Sequence, residues 1–339
     1  MKKTVYLRGK PIGDGNVTIQ SMTNTLTFDK DATLAQVIKL ADAGADFVRV
    51  SIPDIRSAEN IKFLCENSPV PLIGDIHYHV DPAIMAIESG IAKIRINPGN
   101  LSEDGLKKIV KKCIEYDVPI RVGVNKGSQK ERLTPEKLVD LTLDTAKLIE
   151  DLGWEKLVLA VKSSDVIETV KAYRILADKT DYPLHIGLTE AGTEKMGLIK
   201  SSIAIGSLLL DGIGDTIRVS LSGDPLKEIY AAKSILRSVG IDKDFVEIIS
   251  CPTCARTEIN VEELANKIAE ITKNHKKPLK IAVMGCVVNG IGEGKDADFG
   301  IAGGKDKSVI FKGGEIYKTV NNSDIERELI ALCEEYAND

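Results

Sequence analysis

The sequence predicts an α/β protein in two parts: an N-terminal (β/α)8 barrel over residues 1–242 and a C-terminal α+β domain over residues 243–339. Three observations carry this. Short apolar runs alternate with helix-period stretches through the first two thirds of the chain. That alternation stops after Ser238-Val-Gly240. Beyond it stand a cysteine pair, a third cysteine in a glycine-rich loop, and a hairpin signal at Gly313-Gly314.

The strand-like runs fall at residues 17–22, 47–52, 72–76, 94–98, 120–124, 157–161, 184–188 and 217–221. Helix-period stretches such as 32–42, 58–66, 106–115, 135–151 and 165–176 lie between them. Eight β–α units in succession are the pattern of a TIM barrel. An open doubly wound sheet would need a glycine-rich dinucleotide turn after the first strand, and Ser21-Met-Thr-Asn24 is not one. In the second part, residues 245–250 read as a strand running into the first cysteine pair. A helix follows, with Asn260 as N-cap and Glu263 three residues on. Residues 279–284 form a strand that delivers Cys286, residues 299–302 form another, and a last helix lies near 325–336.

The bulk composition excludes several classes. A chain of 339 residues with 43% hydrophobic and 28% charged residues is an ordinary globular protein. Its net charge of −5 gives no global field for nucleic acid or an anionic membrane. The N-terminus is basic but lacks an apolar signal core, and no apolar run nears the roughly 20 residues of a spanning helix. A cytosolic (cytoplasmic) location is expected. Six cysteines in a chain this long do not suggest a disulfide framework. Cys65, Cys113 and Cys333 sit beside apolar residues in helical stretches and are expected to be small buried hydrophobes.

Strand alternation places a polar set inside the barrel. Successive side chains face opposite sides of a strand. Lys93, Arg95 and Asn97 therefore share a face, as do Arg121, Gly123 and Asn125. Arg49 goes with Ser51, Asp75 with His77, and Thr216 with Arg218 and Ser220, while Lys162 closes the sixth strand. Branched apolar neighbours should point outward to the helices. One or two of these cations could be buried ion pairs, Asp75 serving Arg49 or Arg95. The rest outnumber the inward acids, and an unpaired buried charge costs several kcal/mol in order of magnitude. A polyanionic ligand relieves this, since arginine forks match phosphate geometry. Lys200, in Lys200-Ser-Ser202, is expected to open a helix after the seventh strand, where barrels often hold phosphate.

The cysteine motifs read Cys251-Pro-Thr-Cys254 and Gly285-Cys286-Val-Val-Asn289-Gly-Ile-Gly-Glu293. Three thiolates suit iron–sulfur or zinc. A lone CxxC is weak, because zinc ribbons and redox disulfides share it. Zinc would call for a second CxxC or a histidine pair. Iron–sulfur is the favoured reading and zinc the alternative. Glu293, a harder donor, would leave one corner of the centre exchangeable, as reactive rather than structural sites require.

These motifs resemble a known family. Gln20-Ser-Met-Thr-Asn24, Asp75-Ile-His77, Ile94-Arg-Ile-Asn-Pro-Gly99, Arg121-Val-Gly-Val-Asn125, Thr189-Glu-Ala-Gly192, Asp211-Gly-Ile-Gly-Asp215 and the two cysteine motifs are similar to the 4-hydroxy-3-methylbut-2-en-1-yl diphosphate synthases, in their bacterial two-domain form. The resemblance covers essentially the whole chain. It implies an oxidoreductase of the methylerythritol phosphate route to isoprenoids. The reaction is a two-electron reductive ring opening and dehydroxylation of 2-C-methyl-D-erythritol 2,4-cyclodiphosphate. It implies a [4Fe–4S] cluster on Cys251, Cys254, Cys286 and Glu293, with Glu293 also catalytic. It implies substrate binding by Arg49, Arg95, Asn97, Arg121, Asn125 and Lys200, with Arg256 and Asn289 reaching the substrate from the cluster side. Glu228 matches a carboxylate assigned to proton handling. The residues alone would read Glu228 as a surface helix carboxylate, with Glu190 and Asp75 as the other candidates. Flavodoxin or ferredoxin is the implied electron donor. A head-to-tail homodimer, one chain's cluster domain capping the other's barrel, is the implied assembly. One departure is visible: Ile291 stands where the family usually has proline, so this loop is expected to be less rigid.

Two other classes remain on the residues: a metal-independent, pterin-type barrel synthase carrying a zinc-binding interaction domain, and a non-enzymatic scaffold that delivers clusters.

Overall fold

A computed structural model describes residues 2–128, 133–273, 275 and 277–338. The contacts divide the chain into two units, Met1–Ile241 and Asp242–Asp339.

The first unit begins with a hairpin, β1 (Val5–Leu7) and β2 (Lys10–Ile12). Its turn residues Arg8 (φ 47°) and Gly9 (φ 84°) both take the left-handed conformation that two-residue hairpins require. There follow β3 (Thr18–Met22), α1 (Lys30–Asp42), β4 (Phe47–Ile52), α2 (Ile55–Ala58), α3 (Ile61–Asn67), β5 (Leu72–Ile76), α4 (Val80–Glu88), β6 (Lys93–Ile96) and α5 (Glu103–Glu115). Then come β7 (Ile120–Asn125), α6 (Pro135–Asp151), β8 (Leu157–Lys162), α7 (Val166–Lys179), β9 (His185–Ile186), α8 (Glu194–Leu210), β10 (Thr216–Ile217) and α9 (Pro225–Ser238).

Strands β3 to β10 pair in parallel in the order β8-β7-β6-β5-β4-β3-β10-β9. A parallel bridge from Leu159 to Leu184, just before β9, brings the two ends of this order together. The fold is therefore the eight-stranded barrel. Its outward residues, among them Val48, Val50, Ile94, Ile96, Ile120, Val122, Leu159 and Val161, pack with Val37, Leu40, Leu64, Ile109 and Ile149 of the helices. The β1–β2 hairpin sets Val5, Leu7 and Ile12 against Phe47, Ile73 and Val158, which closes the N-terminal end of the interior.

Two expectations change. The helix over residues 58–66 is broken into α2 and α3, because the Asn60 side chain donates to the carbonyls of Thr27 (3.3 Å) and Phe28 (2.9 Å). Helix α8 begins at Glu194, so Lys200 lies within it rather than at its start. Gly197 is part of that helix. A side chain there would meet Leu221 at 3.0 Å, so glycine serves close packing and not a turn.

The second unit contains β11 (Val246–Ser250), α10 (Val261–Thr272), β12 (Leu279–Met284), α11 (Gly290–Glu293), β13 (Phe299–Ala302), β14 (Lys307–Lys312), β15 (Glu315–Asn321) and α12 (Ile325–Asn338). The sheet order is β11-β12-β13-β14-β15, parallel across β11 to β13 and antiparallel from there. Alternation on β12 separates two cores. Ile281 and Val283 face α10 and α12 with Ile268, Leu329 and Leu332. Ala282 and Met284 face the other way, against Ala297, Ala302 and Phe311. Asn260 caps α10 by accepting from the Glu263 N–H at 3.2 Å.

Candidate active site: a cationic barrel mouth and a cysteine cavity

Within the first unit, a cavity of about 120 Å³ opens at the C-terminal ends of the strands. Arg49, Asp75, Arg95, Arg121, Gly123, Asn125, Lys162, Thr189, Arg218 and Ser220 are among its lining. Apart from Thr189, these are among the inward residues that alternation selects; Lys93, Asn97, Ser51, His77 and Thr216, also selected, are not in the lining. Asp75 holds two of the arginines, with Oδ1 3.3 Å from Arg95 Nη1 and Oδ2 3.8 Å from Arg49 Nε. Despite its burial, the flanking Arg49 and Arg95 keep the Asp75 carboxyl far below the usual range. Arg95 also donates to the Gly123 carbonyl at 3.1 Å, and Arg49 to the Met22 sulfur. Burial pulls Arg49 down to about 10, which leaves it charged.

Arg121 is different. It is 2% exposed, and its Nε and Nη1 have no hydrogen-bond partner. Lys93 is fully buried one layer deeper, its Nζ unpartnered and 5.6 Å from the Phe47 ring centre. Lys162 Nζ lies 3.4 Å from His185 Nε2. Burial and the surrounding guanidiniums push both amines well down from the ordinary lysine range. Buried donors without partners cost about 1–3 kcal/mol each, and an acceptor reaching Arg121 in this cavity would relieve that cost.

The binding residues expected from the sequence divide here. Arg49, Arg95, Arg121 and Asn125 share the cavity. Asn97 is buried at the end of β6, accepting from the Gly99 N–H at 3.4 Å, and is not part of the lining. Lys200 is half-buried on α8 and is also absent from the lining. Glu228, in the first turn of α9, is not a surface carboxylate. It is 6% exposed, accepts from the Leu221 N–H at 3.0 Å, and pairs with Arg218 at 3.4 Å. Glu190 is exposed, beside the cavity residue Thr189. Its φ of 53° is strained for a residue with a side chain, and its carboxylate lies so close to Gly127 that a Cβ there would sit 2.9 Å away. Lys162 and Arg218 join the lining from outside the expected binding set. Sequence reasoning does not single out His185, though alternation with Gly187 places it inward.

The second unit has its own cavity, of about 150 Å³, lined by Cys251, Pro252, Cys254, Arg256, Met284, Cys286, Asn289, Gly290 and Glu293. It lies where β11 and β12 end in parallel: Cys251 directly follows β11, and Cys286 stands two residues beyond β12. Glu293 closes the one-turn helix α11, whose Glu293 N–H bonds the Asn289 carbonyl at 2.9 Å. Glycine is forced here. A Cβ on Gly290 would meet Met284 Cβ at 2.8 Å, and one on Gly294 would meet Phe311 at 2.6 Å. Ile291 is partly buried and packs against the Ala282–Met284–Phe311 cluster. The Gly285 N–H donates to Cys251 Sγ at 3.1 Å. Hydrogen bonds from Arg256 hold the Cys254 thiol below its ordinary range. Cys65, Cys113 and Cys333 are buried and stand apart from this site. Burial pushes Cys65 and Cys333 up to about 11, so these thiols stay protonated.

Among the described residues, no three histidine, cysteine or acidic side chains converge on one point as a single-ion site would need. The donors instead surround a cavity. No helix among the described residues is long and apolar enough to cross a membrane.

Residues 2–233 match the family model described as the GcpE TIM-barrel domain, and residues 247–335 match the GcpE protein C-terminal domain. The chain is 48% identical to 4-hydroxy-3-methylbut-2-en-1-yl diphosphate synthase (flavodoxin) of Caldanaerobacter subterraneus subsp. tengcongensis, over 98% of this chain and 97% of that protein. It is 49% identical to the protein of the same name from Thermotoga maritima, over 95% and 94%. Among solved structures it is similar to the dihydropteroate synthase of Yersinia pestis, at a TM-score of 0.54 and 15% identity, over 70% of this chain and 98% of that one. At that identity the likeness speaks for the barrel fold alone.

Proposed function

Since the chain belongs to the GcpE family, we propose that it is an iron–sulfur-dependent oxidoreductase of isoprenoid biosynthesis, converting 2-C-methyl-D-erythritol 2,4-cyclodiphosphate to 4-hydroxy-3-methylbut-2-en-1-yl diphosphate. The relatives' names give the product, 4-hydroxy-3-methylbut-2-en-1-yl diphosphate, and point to flavodoxin as electron donor. The observation that carries the chemistry is the pairing, in one chain, of a cation-lined barrel mouth with a three-thiol, one-carboxylate cavity.

The barrel grips the diphosphate. Arg49, Arg95 and Arg121 offer forked donors, and Asn125, Lys162 and Arg218 complete the ring. Asp75 fixes the planes of Arg49 and Arg95, and Glu228 fixes Arg218. That pairing makes Glu228 a positioning residue, because both its oxygens are already engaged. The departing hydroxyl must leave as water, so a proton has to reach it. Glu190 is the better carrier: it is open to solvent and held in a strained conformation next to a cavity residue.

Cys251, Cys254 and Cys286 would hold a [4Fe–4S] cluster, with Glu293 as fourth donor. Donors spread around a cavity suit a cluster better than a single zinc ion. When bound, the cluster supplies one-electron transfers and a Lewis-acidic corner. The Gly285 N–H directed at Cys251 Sγ would stabilise its thiolate. Arg256 and Asn289, which line the same cavity, would meet the substrate from the cluster side. A head-to-tail homodimer would let a partner's cysteine-bearing unit serve each barrel.

The test is anaerobic turnover of the cyclic diphosphate with reduced flavodoxin, wild type against Glu293→Ala. The variant is expected to assemble a cluster and to lose turnover. Unchanged turnover would refute the exchangeable-corner role.

A further inference from the structure

Lys162 occupies an unusual electrostatic position. The residue, 9% exposed, lines the barrel cavity as the last residue of β8. From β4, Arg49 faces it. Asp75 faces it from β5, Arg95 from β6, Arg121 from β7 and Arg218 from the residue just after β10. β3 contributes uncharged Gln20 and Met22 to the interior. The carboxylates of this group are already engaged, Asp75 with Arg49 and Arg95, and Glu228 of α9 with Arg218. The neighbour that reaches Lys162 Nζ is His185 Nε2 on β9, at 3.4 Å. His185 is itself fully buried, its Nδ1 has no partner, and Lys93 and Arg121 act on it electrostatically. A cation here has one neutral acceptor and a ring of like charges.

We propose that the Lys162 amine takes up a proton when the anionic substrate enters the barrel mouth, so that substrate binding is coupled to proton uptake from solvent. The inference rests on the barrel cavity being the diphosphate site. In the free protein, burial and four guanidiniums disfavour the charged form of the amine. The arriving diphosphate reverses the sign of the local field. The proton comes from solvent, the amine becomes an ammonium, and its N–H groups donate to a phosphoryl oxygen and to His185 Nε2. Burial and the same cations disfavour protonation of His185, which favours Nε2 as an acceptor for that ammonium. The linkage has a definite sign. Bound Lys162 has the higher pKa, so uptake occurs between its free and bound values, and affinity falls as pH rises through that window by up to about tenfold per pH unit.

The experiment is titration calorimetry of cluster-loaded, oxidised full-length protein with the cyclic diphosphate, in PIPES and in Tris. Each phosphorus of that ligand carries one strongly acidic oxygen, so the ligand itself does not titrate near neutrality. The dependence of binding enthalpy on buffer ionisation enthalpy counts the protons. Wild type is expected to take up as much as one proton per ligand. Lys162→Arg, permanently charged, should bind without uptake and with a flat pH profile. Lys162→Met should bind more weakly, again without uptake. Lys93→Met, outside the cavity lining, should keep the wild-type count. Wild type that binds without exchanging protons overturns the inference alone, as does uptake that persists in both Lys162 variants. Wild type that fails to bind overturns the diphosphate reading as well.

Discussion

Replacing Asp75 by asparagine probes the electrostatic design of the barrel directly. The carboxylate is 8% exposed on its side chain and is shared between Arg95 (3.3 Å) and Arg49 (3.8 Å). Asparagine keeps the volume and loses the charge. Breaking a buried pair from one side costs about 3–5 kcal/mol, because the cations stay buried and uncompensated. For a unit the size of the barrel, about 2–4 °C per kcal/mol gives a fall in Tm of roughly 6–20 °C. The sign against pH is fixed by the depressed carboxyl. The stabilisation is complete above the unfolded-state value of about 3.9 and is lost as pH falls below it. The deficit of the variant is therefore largest near neutrality and shrinks in acid. Sulfate should raise the Tm of Asp75→Asn more than that of wild type, since the freed arginines gain an anion. The assay is thermal unfolding followed by circular dichroism across pH and sulfate concentration. A variant within about 1 kcal/mol of wild type at pH 7 would show that Arg49 and Arg95 do not depend on Asp75.

Two further outcomes follow from buried groups. Lys93→Met removes an unpartnered amine and keeps an unbranched chain, so it is expected to stabilise the barrel at pH 7 by about 1–3 kcal/mol in urea unfolding. Because the folded Lys93 is depressed, the wild type carries this penalty below the unfolded value of about 10.4, and the gain should shrink as pH approaches it; a constant gain would contradict this. Gly294→Ala forces a Cβ to within 2.6 Å of Phe311 and 3.0 Å of Ala282. It should destabilise the second unit by about 1–3 kcal/mol and lower iron retention on a desalting column, whereas wild-type iron content and stability would show that the loop adapts.

Much of the fold is legible because its signals are periodic. Alternation on β4, β6 and β7 sorts Arg49, Arg95 and Arg121 from Val48, Ile94 and Val122, and the packing follows that division. The N-terminal hairpin is not legible, because three-residue strands are too short to show a period; Gly9 is its one signal. The sequence puts Lys200 at a helix start because glycine reads as a loop residue, whereas Gly197 is a packing glycine inside α8. Glu228 reads as a surface residue because a helix's first turn gives no hint of which neighbour it meets, and its partner Arg218 comes from a different element. The cysteine cavity is legible from residue type and spacing, but the packing glycines Gly290 and Gly294 that position Glu293 are tertiary constraints.

The proposed chemistry stands or falls on Cys251, Cys254, Cys286 and Glu293 holding one cluster. Anaerobic purification of wild type and of Cys254→Ser, followed by iron, sulfide and zinc analysis, decides it. Brown wild-type protein with about four iron and four sulfide per chain is expected, with most of both lost in Cys254→Ser. Colourless protein carrying one zinc per chain, or full iron and sulfide retention in the variant, would overturn the assignment.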